Sequence, residues 1–236
     1  MQAIGRLLLA LGMGGLGVLS LMHHDFSLEW TPVPSALANH DLLAYAHGGF
    51  LVLGALGLLV PMTRQAAAFA LAALWAFYSA LHVPLAIADW KAGVGGLAEC
   101  VGLTAGCLLA SGSTLAQPIA RYSFGLAMPV FGLVHFLYPD AVATWIPGYI
   151  PGPGVYWAYA TGAAHVAAGL AMLTGVMAPI ASLLNALMYT SWLLILHLPR
   201  TYAAPHDRHE WTTTCVAFAI NGAAWMLATY LAHRKR

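Results

Sequence analysis

Histidine is the residue type that stands out for chemistry in this 236-residue sequence, with 11 histidines against nine lysines and arginines together. Neutral imidazole binds copper, iron and zinc, and it exchanges protons near neutral pH. Five histidines fall within or at the ends of predicted helices, and these are the candidate cofactor-binding residues: His47, His82, His135, His165 and His197. The alternative, which stays open, is that they only form hydrogen bonds between helices.

Glu99 is predicted to lie about two turns inside an apolar helix. Three glycines share its helical face: Gly95, Gly102 and Gly106. Small residues let helices pack closely, so this face points at protein rather than lipid. A carboxyl group at that depth needs a partner, a proton or water, and we expect His82 or His47 to pair with it.

That pairing admits two kinds of chemistry and one structural alternative. A carboxylate that orients histidine is common in metal sites. The candidate metal ligands are His82, His197, His47 and Glu99. Beside a bound quinone, Glu99 would instead be the candidate proton acceptor. The alternative is a purely structural pair with histidine.

Composition places these residues in a membrane protein. Hydrophobic residues make up 61% of the sequence and charged residues 7%, and the mean hydropathy is +0.76. A soluble domain carries about 25% charged residues, so this composition suits contact with a lipid bilayer instead. The net charge of +1 offers no basic surface for nucleic acid. The three cysteines lie in apolar runs without metal-binding spacing, and we interpret them as packing residues.

The predicted fold is all-α, a polytopic membrane protein with about eight transmembrane helices. A spanning helix needs roughly 20 mostly apolar residues. Segments of this kind occur at 3–22, 41–60, 65–88, 92–111, 119–138, 155–177, 179–198 and 211–231. The third and fourth helices, and the sixth and seventh, are joined by so few residues that each pair should form a tight hairpin.

Charge predicts the orientation of these helices. The basic residues of one side are Arg6, Arg64, Arg121 and the tail at 233–236. Acidic residues gather in the opposite connections, 23–40, 139–154 and 199–210. The positive-inside rule then places both termini on the cytoplasmic side of the membrane. In that orientation all histidines except His233 lie in the outer half.

An internal repeat divides the chain into halves, 1–114 and 115–236. Residues 42–59 read LLAYAHGGFLVLGALGLL, and residues 156–173 read YWAYATGAAHVAAGLAML. The flanking motifs recur as well: Trp30-Thr31-Pro32 matches Trp145-Ile146-Pro147, and His82-Val83-Pro84 matches His197-Leu198-Pro199. Four helices per half give both halves the same orientation, which implies a pseudo-two-fold axis along the membrane normal.

Each half resembles the DoxX-like family of small bacterial four-helix membrane proteins. The second half carries the resemblance best, through VHFLYPDAVATWIPGYIP, YWAYATGAAHVAAGLAMLTG and LHLPR, and the first half through WTPVP and AYAHGG. The family name comes from a subunit associated with thiosulfate:quinone oxidoreduction. The resemblance therefore implies the duplicated fold, a place in the bacterial inner (plasma) membrane and a link to redox chemistry, and it brings no catalytic signature.

Three functions follow as hypotheses. The first is a redox-associated membrane protein that holds a haem, a copper, iron or zinc ion, or a quinone near the outer face; as an enzyme it would be a quinone-linked oxidoreductase subunit. The second is a non-catalytic accessory subunit of a larger respiratory or photosynthetic membrane complex. Transport ranks lowest, because Pro129 is expected to interrupt helix five without a matching break in the first half. No hydrolase motif is present.

Overall fold

The protein is a bundle of helices. The computed structural model describes residues 1–233, apart from the side chain of Ala92, so the basic tail at 234–236 that supported the predicted orientation lies outside the described residues. The helices of the described part are α1 Gln2–His23, α2 His40–Leu59, α3 Arg64–Ala88, α4 Trp90–Ala110, α5 Ala116–Leu137, α6 Pro139–Ala143, α7 Gly154–Thr174, α8 Ala178–Ala203 and α9 Arg208–His233. Eight of them match the eight predicted segments to within a few residues.

Seven of the described helices are long and apolar enough to cross a membrane, namely α1 to α5, α8 and α9. Helix α7 forms as predicted but is not among the seven, because Tyr156, Trp157, Tyr159 and His165 lower its hydropathy. The prediction of an all-α polytopic membrane protein is therefore confirmed, with seven candidate spans in place of eight.

The outward surface of the bundle is suited to lipid. Large apolar side chains project from it, including Leu53 at 70% exposure and Ile87 at 81%. Helices satisfy their backbone hydrogen bonds internally, which hydrocarbon requires. Contact with a bilayer follows from these exposed faces together with the length of the helices.

The long helices run alternately up and down. Neighbouring contacts show the alternation: Gly5 of α1 lies against Gly222 of α9, whereas Gly12 lies against Cys215, so these two helices are antiparallel. We call the end of the bundle that holds segments 24–39, 138–153 and 204–207 the loop end, and the opposite end the terminal end. Nine of the histidines lie on the loop-end side and His233 at the terminal end, as the sequence predicts, whereas His165 lies one residue past the middle of α7.

Both predicted hairpins form. Asp89 alone separates α3 from α4, and its Oδ1 accepts a hydrogen bond of 2.9 Å from the backbone N–H of Lys91, which caps the new helix. Between α7 and α8 the chain turns at Gly175 with φ of +85°, a conformation that glycine adopts without strain. Short hairpins of this kind keep consecutive helices in contact.

The packing of the helices crosses between the two predicted halves. Helix α1 packs on α2 and on α9, and α5 packs on α7 and on α4, while α4 and α9 meet between them. The first helix of each half thus contacts the last helix of the other half. Close approach in the first of these contacts rests on Gly5 and Gly222, where an added Cβ would lie 2.8 Å or less from the opposite backbone.

The prolines inside helices do not break them. Pro129 lies within a continuous α5, and Pro84 within a continuous α3, so the predicted interruption of helix five is wrong. Helix α8 behaves differently, because a π-helical turn at Leu193–His197 precedes Pro199. Proline lacks the N–H that an α-helical turn would use, and the wider turn absorbs the mismatch.

Candidate functional site

A cavity of about 170 Å³ lies inside the loop-end half of the bundle, and we call it the central cavity. Helices α4, α5, α7, α8 and α9 all contribute to its wall. The polar and aromatic side chains that line it are Glu99, Phe131, His135, His165, Tyr189, Trp192, His197 and Thr213. Four of the six residues predicted for a site therefore meet here, whereas His47 and His82 lie elsewhere.

Glu99 enters the cavity from α4. It lies nine residues from Trp90, which places it about 14 Å along the helix from the loop end. Its Oε2 accepts a hydrogen bond of 2.5 Å from the indole Nε1–H of Trp30. The structure thus gives Glu99 a different partner from the histidine that the sequence predicts, and the carboxyl group still borders the cavity.

His135 is held by its own helix. Its Nδ1 lies 2.8 Å from the carbonyl oxygen of Phe131, one turn earlier in α5. A carbonyl only accepts, so Nδ1 carries the proton of the neutral ring and the lone pair is on Nε2. The indole of Trp192 stacks on the ring at 6.1 Å with 15° between the planes. His135 is therefore fixed in position and offers Nε2 as an acceptor.

His165 has both ring nitrogens engaged. Its Nδ1 lies 2.9 Å from the Thr161 carbonyl oxygen, and its Nε2 lies 3.0 Å from the Tyr189 hydroxyl. Because Nδ1 donates, Nε2 accepts the proton of Tyr189. The same hydroxyl lies 3.3 Å from the sulfur of Met128. This histidine shapes the wall of the cavity and leaves no nitrogen for a ligand while the tyrosine contact holds.

His197 belongs to the π-helical turn of α8. Such turns often occur at functional sites because they redirect side chains out of the α-helical register. Its buried Nδ1 has no hydrogen-bond partner among the described residues. A buried polar atom without a partner costs about 1–3 kcal/mol, so a molecule in the cavity that supplied a partner would recover that energy.

The two remaining candidates lie in the first half. The Nδ1 of His47 lies 3.0 Å from the hydroxyl of Tyr78, and its buried Nε2 has no partner among the described residues. The ring nitrogens of His82 face two backbone carbonyl oxygens, Nδ1 that of Tyr78 and Nε2 that of Glu29, each at 2.9 Å. His82 therefore holds the segment before α2 against α3 and directs no nitrogen at the central cavity.

Two tryptophans and a histidine cover the loop end of the cavity, and we call Trp30, Trp145 and His209 the tryptophan cap. The ring of His209 lies 6.2 Å from that of Trp30 and 6.3 Å from that of Trp145. Trp145 also lies 6.3 Å from His197. Each tryptophan thus contacts one cavity residue below it, Trp30 through Glu99 and Trp145 through His197.

Ion pairs fix this cap to the rest of the loop end. The carboxylate of Glu29 lies 3.0 Å from Nε2 of His209, and Glu210 is held by Arg200 through two hydrogen bonds. The guanidinium of Arg200 lies 4.1 Å above the ring of Trp145. Sequence analysis found the repeated tryptophan–proline motifs but did not assign these tryptophans to the site. The motifs themselves were the available signal, because Trp30 and Trp145 recur in register.

The residues of the cavity do not form a metal centre by geometry. Within residues 1–233, no group of three or more histidine, cysteine, aspartate or glutamate side chains is arranged to hold a metal ion. A haem also does not fit, because sites for ligands of drug size or larger occupy about 300–1,000 Å³. A single small ring or a few water molecules match the central cavity.

Comparison with known proteins adds no family: no protein-family model, no curated protein and no solved structure matches this chain.

Proposed function

We propose that this chain is a DoxX-like, redox-associated membrane protein that binds the head group of a quinone in the central cavity. The observation that carries the proposal is the cavity itself. It brings the carboxyl group of Glu99, the Nε2 acceptor of His135 and the partnerless Nδ1 of His197 to one small space between aromatic rings. Charged substrates do not suit a site at this depth in a bilayer, whereas a neutral ring with two carbonyls does.

The chemistry of a quinone corresponds to these groups. Its carbonyl oxygens accept hydrogen bonds, and His197 has an Nδ1 that needs a partner. Its reduced form carries hydroxyl protons, for which Glu99 and His135 are acceptors. The rings of Phe131 and Trp192 supply flat apolar walls on which an aromatic head group packs.

The duplicated architecture is part of the proposal, and matching contacts support it. Trp75 donates to the sulfur of Met13 at 3.0 Å in the first half, and the hydroxyl of Tyr189 lies 3.3 Å from the sulfur of Met128 in the second. Met128 follows Met13 by 115 positions, the interval that also separates His82 from His197. The crossed packing of α1 with α9 and of α5 with α4 supports the same pseudo-two-fold axis. On this basis α7 is an eighth crossing helix and both termini are cytoplasmic.

The proposal is tested on the detergent-purified chain by extracting bound native quinone and by titrating a tail-less benzoquinone. Binding is followed by quenching of tryptophan fluorescence. His197→Ala should weaken binding of the benzoquinone by about tenfold, the value of one buried hydrogen bond, and Glu99→Leu should weaken binding of the corresponding hydroquinone by about the same factor. His23→Ala, an exposed residue at the end of α1, is the control and should bind like the wild type. Equal binding by the wild type and the three variants would contradict binding of the quinone head group in the central cavity.

A second candidate is the accessory subunit. It is favoured by how little of the described chain lies outside the helices, since the connection at 24–39 is only a short loop around the turn Leu28–Trp30. The protein would then act through contacts with partner helices. Extraction in a mild detergent should recover stoichiometric partner subunits, and a chain that migrates alone on a native gel contradicts this role.

A further inference from the structure

A second hollow lies on the outer surface of the bundle, between α7 and α8, and we call it the side groove. Its volume is about 570 Å³, within the range of ligand sites. It occupies the terminal-end part of both helices, and its lining is apolar except for Thr174 and Asn185. Alanines form much of the α7 wall, including Ala164, Ala167 and Ala168.

The side groove lies next to the central cavity along α7 and α8. On α8, Asn185 and Met188 line the groove, while Tyr189 and Trp192, each four residues further on, line the cavity. Residues four apart are neighbours on one helical face. On α7, His165 and Ala168 are related in the same way at a spacing of three. Groove and cavity are therefore adjacent along the same helix pair, with the hydrogen-bonded side chains of His165 and Tyr189 between them.

We propose that the side groove binds the long apolar tail of the quinone whose head group occupies the central cavity. The inference rests on the proposed function and names its substrate class, a lipid-soluble quinone. A polar head at one end and an apolar tail at the other match the order of the two spaces along α7 and α8. The tail would lie against the alanines of α7 and run toward the terminal end.

The depth of the central cavity in the membrane favours a quinone over a phospholipid as the occupant of the side groove. Glu99 lies about 14 Å along α4 from the loop end, close to the middle of a hydrocarbon core that is about 30 Å thick. A charged phosphate head group cannot leave the membrane surface for that depth without a large cost. A neutral quinone ring carries no such cost.

The corresponding place in the first half carries larger side chains. The residues 114 positions before Ala164 and Ala167 are Phe50 and Leu53. Leu71 packs close to the helix there as well, since a Cβ added at Gly54 would lie 2.7 Å from its Cδ2. The second half therefore presents alanines along its groove where the first half presents bulky residues.

The experiment fills the groove with the residues of the first half, in the double variant Ala164→Phe, Ala167→Leu. Both alanines are exposed, so the added bulk faces outward rather than into the core. The control is Ala163→Leu, which adds bulk at an exposed position of α7 outside the groove. Dissociation constants are measured for decylubiquinone and for the same ring without a tail.

The wild type and the control should bind decylubiquinone at least about tenfold more tightly than the tail-less ring, because the buried tail removes apolar surface from contact with solvent and detergent. The double variant should lose this difference while its affinity for the tail-less ring stays unchanged, which also shows that it is folded. If the double variant binds neither ligand, the single variant Ala167→Leu is measured instead. It too should lose the affinity difference between decylubiquinone and the tail-less ring.

Two results overturn the inference in different ways. If the tail-less ring binds and the tail adds the same affinity in the double variant as in the wild type, the groove does not hold the tail, and the proposed function stands. If neither ligand binds the wild type, the proposed function fails and the inference fails with it.

Discussion

Trp30 and Glu99 are 69 positions apart in sequence, and the indole Nε1–H of the first lies 2.5 Å from Oε2 of the second. Trp30 belongs to the short turn Leu28–Trp30 outside the long helices, and it is 3% exposed. The loop between α1 and α2 therefore reaches back into the bundle to satisfy the carboxyl group of α4. The contact connects the tryptophan cap to the central cavity.

Removing either Trp30 or Glu99 should lower the free energy of unfolding. Removing both should lower it by less than the sum of the two single losses. Trp30→Phe deletes the donor, whereas Glu99→Leu deletes the acceptor. A buried hydrogen bond contributes about 0.5–1.5 kcal/mol, so a double-mutant cycle should give a coupling energy of about that size. Thermal unfolding in detergent measures it.

Trp90→Phe serves as the control for loss of an indole. Trp90 is 42% exposed at the start of α4, so its replacement should change the melting temperature little. Additive effects of Trp30→Phe and Glu99→Leu would mean that the two side chains do not interact in the detergent-solubilised protein.

Asp25 should make stability depend on pH at the acid end. Burial raises the pKa of Asp25, but hydrogen bonds from Arg208 and the Phe26 N–H, with the charges of Arg208 and His40, outweigh it and hold the pKa below its usual value. The ionised form therefore stabilises the fold above about pH 4, the pKa of an unfolded aspartate. This contribution is lost as the pH falls through the lower folded-state pKa.

The measurement compares the melting temperatures of the wild type and Asp25→Asn between about pH 7 and pH 3. The wild type should be the more stable at neutral pH, and the difference should shrink in the acid range. Asp140→Asn, at an exposed position of α6, is the control and should show no such narrowing. A difference that stays constant down to pH 3 contradicts the role of the ionised carboxylate.

Close packing of α1 on α9 should make Gly222→Ala destabilising. A Cβ at Gly222 would lie 2.4 Å from the carbonyl oxygen of Gly5 and 2.5 Å from the backbone nitrogen of Leu9. Backbone atoms cannot rotate away, so the helices must separate, at a cost of about 1–3 kcal/mol. Thermal unfolding should show a lower melting temperature.

Gly49→Ala is the matched control, because nothing lies within 4 Å of a Cβ added there. Alanine is the better helix former by roughly 0.5–1 kcal/mol, so this variant should melt at the wild-type temperature or above it. Equal loss in both variants would assign the effect to helix chemistry rather than to the α1–α9 contact.

The helices follow from the sequence because a bilayer imposes a simple pattern of about 20 apolar residues per crossing. Histidines 135 and 197 were predicted near the outer ends of their helices for a related reason, since depth in a helix follows from counting residues. The hydrogen-bond partner of Glu99 could not be predicted from the sequence. Trp30 lies in a non-helical segment, and only the tertiary fold decides where such a segment turns.

The π-helical turn at Leu193–His197 is a second feature that the sequence alone could not predict. A proline at position 199 predicts some disturbance in the preceding turn, but Pro84 at the equivalent point leaves α3 α-helical throughout. Which of the two helices widens depends on the neighbours that each packs against. Sequence therefore located His197 along its helix and could not determine the direction of its side chain.

The crossed packing of α1 against α9 has a consequence for how the chain is made. Helix α1 leaves the ribosome well before α9, so it meets this second neighbour only when α9 has entered the membrane. Until then the glycine face of α1, with Gly5 and Gly12, stays open to lipid or to other proteins. Insertion of α9 is thus the step that closes the bundle, and a chain stalled before it would be the form most exposed to membrane proteases and chaperones.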